Sequence, residues 1–587
     1  MRTRGTPRPP ARLAGAGLAT LAALLLSSCV RMPSDGPVTE VEDQVATSTA
    51  TGIGFDPKPP QPGESATEIV ANFLEAMKAT PSSASVAREF LTADAQQRWE
   101  PEDGIVTYDE LGDAVGEQQV AVPMAGVELY DGRGAWQGSR VGQVTTFELT
   151  TEDGEWRIDE LPNALMVPTT WFEDEFSRVS LYFFDPTAQI FVPEPVFVPE
   201  GDQLASSMVR GLLDDPLLDP RLDRTFVPPG FTAGVSVPIT SGGIAQVSLE
   251  GEPSAVDEDV RQRILTQLIW TLRQEPRVRA LRLTIGDEEE QGLGGAVSQV
   301  GLSTGDAYDP TGAQSSGDLF GLLDGRLVRG SVGALSPTPG PMGTARLGVR
   351  SIGVDLTGDR VAGVSGDGRS VIVAPVDTSG RAVEVASGAR DLLPPAWDFA
   401  DRIWLADRAG GRAQISVVVG EQAPRSIDVP GISRRDVRHL LVSRDGSRLV
   451  AVVRTPRGDR VVASRILHTD GGRVLRATRA VVLDFEPDDA TSVVRDIGWR
   501  SPTAISVLTD INEDLSQVET ISVDGSPGDL GIEGASRLRG GVRDLVGSPV
   551  TDAEVFAVAP DAISDLAAPE RTLVPLPAGV TSLTYVG

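Results

Sequence analysis

The chain has 587 residues with 83 acidic and 52 basic side chains, a formal charge of −31; such a surface repels phosphate, so nucleic acid and bare anionic lipid are poor partners. It has one cysteine, which removes disulfides, CxxC zinc sites and, away from that residue, thiol catalysis together. The length allows about three domains.

Arg2, Arg4, Arg8 and Arg12 precede an apolar run from Leu13 to Leu26, and no acidic residue occurs before Cys29. This charged-then-apolar order is that of a secretion signal. As a helix the run would reach only about 21 Å, short of a hydrocarbon core of roughly 30 Å, so removal is expected rather than a permanent span. Leu26-Ser27-Ser28-Cys29 resembles a bacterial lipobox. The resemblance implies residues 1–28 as signal peptide, Cys29 carrying S-diacylglycerol and N-acyl chains (palmitate among them), and a location on the extracytoplasmic face of the cell membrane. Two or three acyl chains hold a protein on a bilayer where one does not. The alternative is an ordinary signal peptide with a cysteine close by. Residues 29–63, rich in Pro, Thr, Ser, Gly and acids, read as a stand-off linker.

Order is expected from Ser65-Ala66-Thr67-Glu68, a capping-box pattern, followed by Ile69, Phe73, Leu74 and Met77 at helical spacing. A second helix is predicted over 83–99, burying Val86, Phe90 and Leu91. Strand patterns follow, ending with Phe147, Leu149, Trp156 and Ile158 alternating about an Asp153-Gly154 hairpin turn. Residues 64–168 thus form an α+β domain, and the segment resembles the NTF2-like cones.

From Val179 the pattern is ββαββαβ: two apolar strands about Asp185-Pro186, a helix over 203–213, two strands, a helix over 256–274 with Ile264, Leu268, Ile269 and Leu272 on one face, and a last strand at "VRALRLTIG". The succession of a helix ending in "LLDDP", then "PPGF", "AQVSL" and "QLIWTLRQEPRVRALRLTI" resembles the GerMN module. That assigns 178–287 to an α+β GerMN domain, which implies an interaction module with no catalytic residues. Residues 288–317, acidic and then Gly/Ser-rich, read as a second linker.

Residues 318–587 show short Val/Ile/Leu-rich strands punctuated by Asp-Gly pairs at Asp324, Asp367, Asp445, Asp470 and Asp524. Comparable strand starts recur at Ile352, Trp397, Leu440, Ile497 and Leu545. A four-stranded blade needs about 40 to 50 residues, so an all-β propeller of five or six blades is predicted. Sandwich repeats are the alternative.

Lipobox, NTF2-like segment, GerMN module and propeller, in that order, resemble one family along the whole mature chain, the actinobacterial lipoproteins LpqB. The resemblance implies a lipid-anchored accessory protein, not an enzyme. The implied partner is the extracytoplasmic domain of an MtrB-like sensor histidine kinase in the MtrA and MtrB two-component pathway, with links to cell envelope and division. A lipoprotein that binds wall glycan or a small ligand is the alternative, and an enzyme with a propeller active site is a third class.

Residues with chemical potential are few. Gly301-Leu302-Ser303-Thr304-Gly305 matches G-x-S-x-G, but a nucleophile elbow needs a strand–turn–helix context, and here the flanks read as linker. The two histidines, His439 and His468, lack metal-site spacing. The carboxylates around Glu152, Asp153, Glu155, Asp159 and Glu160, and those at 287–290, read as solvated charge; "DINED" at 510–514 lacks the Gly and Glu of a calcium loop. "VRD" at 494–496 and 542–544 fits blade-stabilising ion pairs or rim contacts. No catalytic residue, metal or cofactor is predicted.

Overall fold

The computed structural model describes residues 55–587 apart from 81–82, 214–218, 287, 290–298, 313–314, 486–492, 513–514, 528–535, 540, 551–553 and 567–572. The signal, lipobox and most of the first linker lie outside the described residues.

Helix α1 (Ala66–Ala76) starts at the expected capping box: Ser65 accepts from the Glu68 amide, and the Glu68 side chain accepts from the Ser65 amide. Ile69, Phe73, Leu74 and Met77 are buried. The predicted second helix is two, α2 (Ser85–Arg88) and α3 (Ala93–Arg98). Leu91 leaves the helical path to bridge Ile158, and Thr92 caps α3 by accepting from the Ala95 amide; Val86 is only half-buried. These helices pack on a curled sheet of β1 (Gly104–Tyr108), β2 (Glu110–Leu111), β3 (Val115–Gly116), β4 (Gln119–Asp131), β5 (Trp136–Glu152), β6 (Glu155–Glu160) and β7 (Leu165–Pro168). The order is β6-β5-β4-β1-β7, with β2 and β3 beside β4. Asp153 and Gly154 both take positive φ at the β5–β6 turn, the geometry that a two-residue hairpin demands. Helix α4 (Thr169–Glu175) leads out of this layer.

Next comes a two-stranded ribbon, β8 (Phe176–Phe184) and β9 (Phe191–Pro199). It is followed by α5 (Leu204–Leu213), β10 (Thr232–Ala233), β11 (Ile244–Glu250), α6 (Glu258–Leu272) and β12 (Ala280–Ile285), which is the predicted ββαββαβ order. β11 and β12 run parallel, as a crossover through α6 requires. The stretch expected as a second linker is partly built into this module. Val300–Gly301 pairs with β12, Tyr308 stacks edge-on against Phe184, and Gly305 lies against Thr266 and Trp270 of α6. An apolar Val300 and an aromatic Tyr308 give this Gly/Ser-rich stretch enough buried surface to order it.

Among the described residues the remainder is a ring of six sheets, five of four strands and one of five, in which Val481–Val482 adds to the sheet that begins at Asp436. Five first strands, Val349–Val354, Ala396–Trp397, Asp436–Val442, Val494–Ser501 and Asp544–Val546, hold the five predicted repeat starts. The sixth sheet is a composite: Leu319–Leu323, Arg326–Gly330 and Ser336–Pro337 are completed by Val580–Thr584 from the chain's end. Val354 also bridges Val586, so the ring closes by strand pairing. The described residues thus form six blades, and closure excludes a run of sandwiches. Blades are numbered here from this composite sheet.

Candidate functional site

The ribbon β8–β9 is the part on which all three modules converge. At one end Phe176 and Phe197 join Tyr130 and Phe172 in the core of the first domain. Gly134 passes so close to the Phe197 carbonyl that a Cβ there would lie 1.9 Å from it. At the other end Leu181, Phe183, Phe184 and Phe191 fill the GerMN-like core with α5 and α6. Between them the ribbon meets the propeller through charge.

Blade 4 supplies two arginines directly opposite each other on neighbouring strands, Arg448 and Arg465. Like charges so paired repel, and the ribbon places Glu194 between them. Arg465 Nη2 lies 2.8 Å and Arg448 Nη2 3.0 Å from Glu194 Oε1. Arg465 Nη2 also donates to Asp223 Oδ2 at 3.1 Å, and Arg448 Nη2 to the Pro193 carbonyl at 2.8 Å. Arg178 on β8 reaches Ser522 and Asp524 of blade 5. Trp136, at the start of β5, rests on Gly525 in the next turn. The first domain thereby touches the ring as well.

Titration follows from this burial. Burial works to raise the Glu194 pKa, but Arg448 and Arg465 outweigh it and hold the carboxyl below its usual range. Asp223 goes the other way: burial, then the Glu194 charge, push it up to about 7 against the pull of Arg465. A proton on Asp223 lets it donate to Glu194. His468 donates its backbone N–H to the Arg221 carbonyl across the same seam. Burial, then Arg402, press its imidazole down to about 3, so it is neutral.

A third buried guanidinium closes the ring's near side. Arg444, in the first turn of blade 4, donates to the carbonyls of Thr311 and Val586 and to Ser548 Oγ. Burial pushes it down to about 10. It ties the incoming segment, the C-terminal strand and blade 6 together.

The residues singled out in the sequence are scattered. Cys29 and most of 287–290 fall outside the described residues. Ser303 sits in the turn between the two-residue strand Val300–Gly301 and a three-residue 3-10 helix, Asp306–Tyr308, without the α-helix that an elbow needs. His439 Nδ1 is 3.1 Å from Asp496 Oδ1. Asp496 also accepts from the Leu545 amide, so the first "VRD" joins blades 4, 5 and 6. Arg543 and Asp544 of the second lie 3.3 Å apart. The hairpin acids are partly engaged: Asp159 accepts from Thr92 and Glu155 from the Gly63 amide. Asp510 accepts from Arg495 and Ser516. Among the described residues no group of three or more His, Cys, Asp or Glu is placed to hold a metal ion. The junction residues Glu194, Asp223, Arg448 and Arg465 were not foreseen. For Glu194, Arg448 and Arg465 the only trace in the sequence is charge in or beside apolar strands; Asp223, in a connecting segment, leaves none.

A cavity of about 380 Å³ lies between the first domain and the ribbon. Ile105, Leu165 and Phe176 give it an apolar side, and Glu102, Arg133 and Arg210 a charged one.

Comparison with known proteins accords with this anatomy. Residues 59–173 match the family model of the lipoprotein LpqB N-terminal domain, 180–291 that described as sporulation and spore germination, and 325–534 that of the lipoprotein LpqB beta-propeller domain. Lipoprotein LpqB of Thermobifida fusca is 28% identical over 581 residues, covering 88% of this chain and 90% of that one. Lipoprotein LpqB of Mycobacterium bovis (strain BCG) is 27% identical over 553 residues, covering 87% and 89%. The tandem GerMN domains of the Bacillus subtilis sporulation protein GerM share 21% identity over 22% of this chain and 46% of that one, with a TM-score of 0.19. Carrying LpqB-type domains at both ends of its described body and a GerMN-type module between them, the chain belongs to the LpqB lipoprotein family.

Proposed function

We propose that the chain is an extracytoplasmic lipoprotein, acylated on Cys29 and held on the cell membrane, whose body modulates an MtrB-like sensor histidine kinase without catalysing a reaction. The observation that carries the reading is the ribbon β8–β9, anchored at once in the first domain, the GerMN-type module and the propeller. A body braced in this way presents several surfaces in fixed relation. It can shift a kinase only by contacting one state of its sensor better than the other. The acyl tether raises its effective concentration toward membrane neighbours without new contact energy. Among the described residues no helix is long and apolar enough to cross a membrane, which is compatible with holding by lipid.

Crosslinking in intact cells tests this, comparing wild type with Cys29→Ala. The wild type should remain on the membrane and capture the kinase sensor. Equal capture by both, or no kinase among the products, would defeat the proposal.

A second reading is favoured by the 380 Å³ cavity: binding of a small ligand or a wall-glycan end. Retention on purified wall polymer, lost in Arg210→Glu, would support it.

A further inference from the structure

Strand β5 is 17 residues long. Along one side it pairs with β4 over nearly its whole length, from Gln119↔Glu148 to Tyr130↔Trp136. Along the other it pairs with β6 only over Glu148–Glu152. Among the described residues no strand pairs with 137–147 on that side. Alternate residues of this stretch therefore turn their N–H and C=O toward open space.

Proteins ordinarily blunt such an edge with lysine, proline or inward charge. Residues 137–147 contain no lysine and no proline, and their single charge is Arg140, which donates to Gln143 Oε1 at 2.6 Å. Thr145 and Phe147 are buried in the domain core, but two apolar side chains of the stretch are uncovered. Val141 is 97% exposed and Val144 62% exposed, and strand alternation puts them on opposite faces.

Charge says what kind of strand would fit. Residues 55–175 hold 24 acidic and 7 basic side chains, a net charge of −17. Glu148, Glu152, Asp153 and Glu160 are exposed at one end of the open edge, and Glu110 and Glu117 are exposed beside β4. A second copy of the chain would bring another −31 and be repelled.

We propose that the open edge of β5 receives an extended, Lys- or Arg-bearing segment of a partner protein as an added strand. Backbone pairing would supply the affinity, the two valines a grip on alternate side chains, and the surrounding carboxylates the selectivity. This does not depend on the partner being a kinase.

The test uses the mature chain and a synthetic peptide of about nine residues alternating Lys and Val, with binding followed by fluorescence anisotropy at about 0.15 M salt. The same peptide N-methylated at alternate residues keeps the charge but loses the donors along one edge. The proposal expects binding to weaken at least about ten-fold on methylation and in the variant Val141→Lys/Val144→Lys, with amide exchange slowed across 137–147. Equal binding of the two peptides would reduce the effect to bulk charge and overturn the proposal. So would protection confined to other strands, or self-association of the chain that the peptide displaces.

Discussion

The two apolar clusters at ring closure and the seam between ring and GerMN-type module rest on different chemistry. Where the ring closes, Phe320, Leu322, Val354, Val361 and Val586 form one cluster, and Leu319, Val546 and Phe556 another, nearly all fully buried. Where the ring holds its neighbour, Arg448, Arg465, Glu194 and Asp223 meet in a largely buried ionic knot. Apolar burial stabilises by about 25 cal/mol per Å² whatever the exact register. A buried ion pair adds little net stability, yet costs about 3–5 kcal/mol when one partner is removed. The first seam supplies stability; the second fixes one arrangement of modules and penalises others.

The comparison breaks most completely at ring closure. Truncation before Val580 takes the fourth strand from blade 1 and exposes an edge in the middle of the ring. We expect loss of the propeller's cooperative unfolding transition in calorimetry. Retention of that transition would mean that closure is incidental.

Arg465→Met comes next. It leaves Glu194 and Asp223 buried side by side with Arg448 alone, at a cost of about 3–5 kcal/mol. Because the apolar seams stay intact, we expect the ring to remain folded while the GerMN-type module becomes sensitive to limited proteolysis at the seam.

The same seam makes pH a sharper probe than either mutation. Asp223 stands at about 7 in the folded chain against about 3.9 unfolded. Between those values the unfolded chain has lost a proton that the folded chain keeps, so this contribution falls as pH rises. His468 stands at about 3 against about 6.5 unfolded. There the unfolded chain binds a proton that the folded chain refuses, so this contribution falls as pH drops. Over roughly pH 4 to 6.5 the two slopes oppose, each at most about 1.4 kcal/mol per unit. Relative to wild type, Asp223→Asn should therefore make stability climb with pH, and His468→Gln should make it decline. Denaturant midpoints across that range read both signs.

Smaller effects belong to half-buried and exposed charge. Asp496→Ala removes the acceptor that serves His439 and the Leu545 amide and should cost about 1–2 kcal/mol in denaturant unfolding. Arg434→Ala, whose partner Asp428 is 61% exposed, should change it by less than about 0.5 kcal/mol.

Local rules made much of this legible in advance. Ser65 and Glu68 announced α1, Asp153-Gly154 announced the β5–β6 hairpin, and the starts at Ile352, Trp397, Leu440, Ile497 and Leu545 each lie in the first strand of a blade. Failures came where distant partners decide. Five or six blades stayed open in the sequence because Val580–Thr584 completes the strands of blade 1 begun near Leu319, so no repeat start marks that blade. The helix expected over 83–99 broke because Ile158, far along the chain, offers Leu91 a bridge. The ionic knot stayed invisible because Arg448 and Arg465 read as ordinary strand-flanking charge until Glu194 is set between them. Cys29 was read from local sequence alone and lies outside the described residues.

The central claim is that a membrane-tethered, braced body shifts a sensor kinase by contact. The most direct measurement is the autophosphorylation rate of the intact kinase in vesicles, with the acylated chain or with Cys29→Ala at equal bulk concentration. The account predicts a changed rate with the acylated chain and a near-basal rate with Cys29→Ala that approaches the changed one only at higher concentration. An unchanged rate with both would contradict it, as would equal potency of the two.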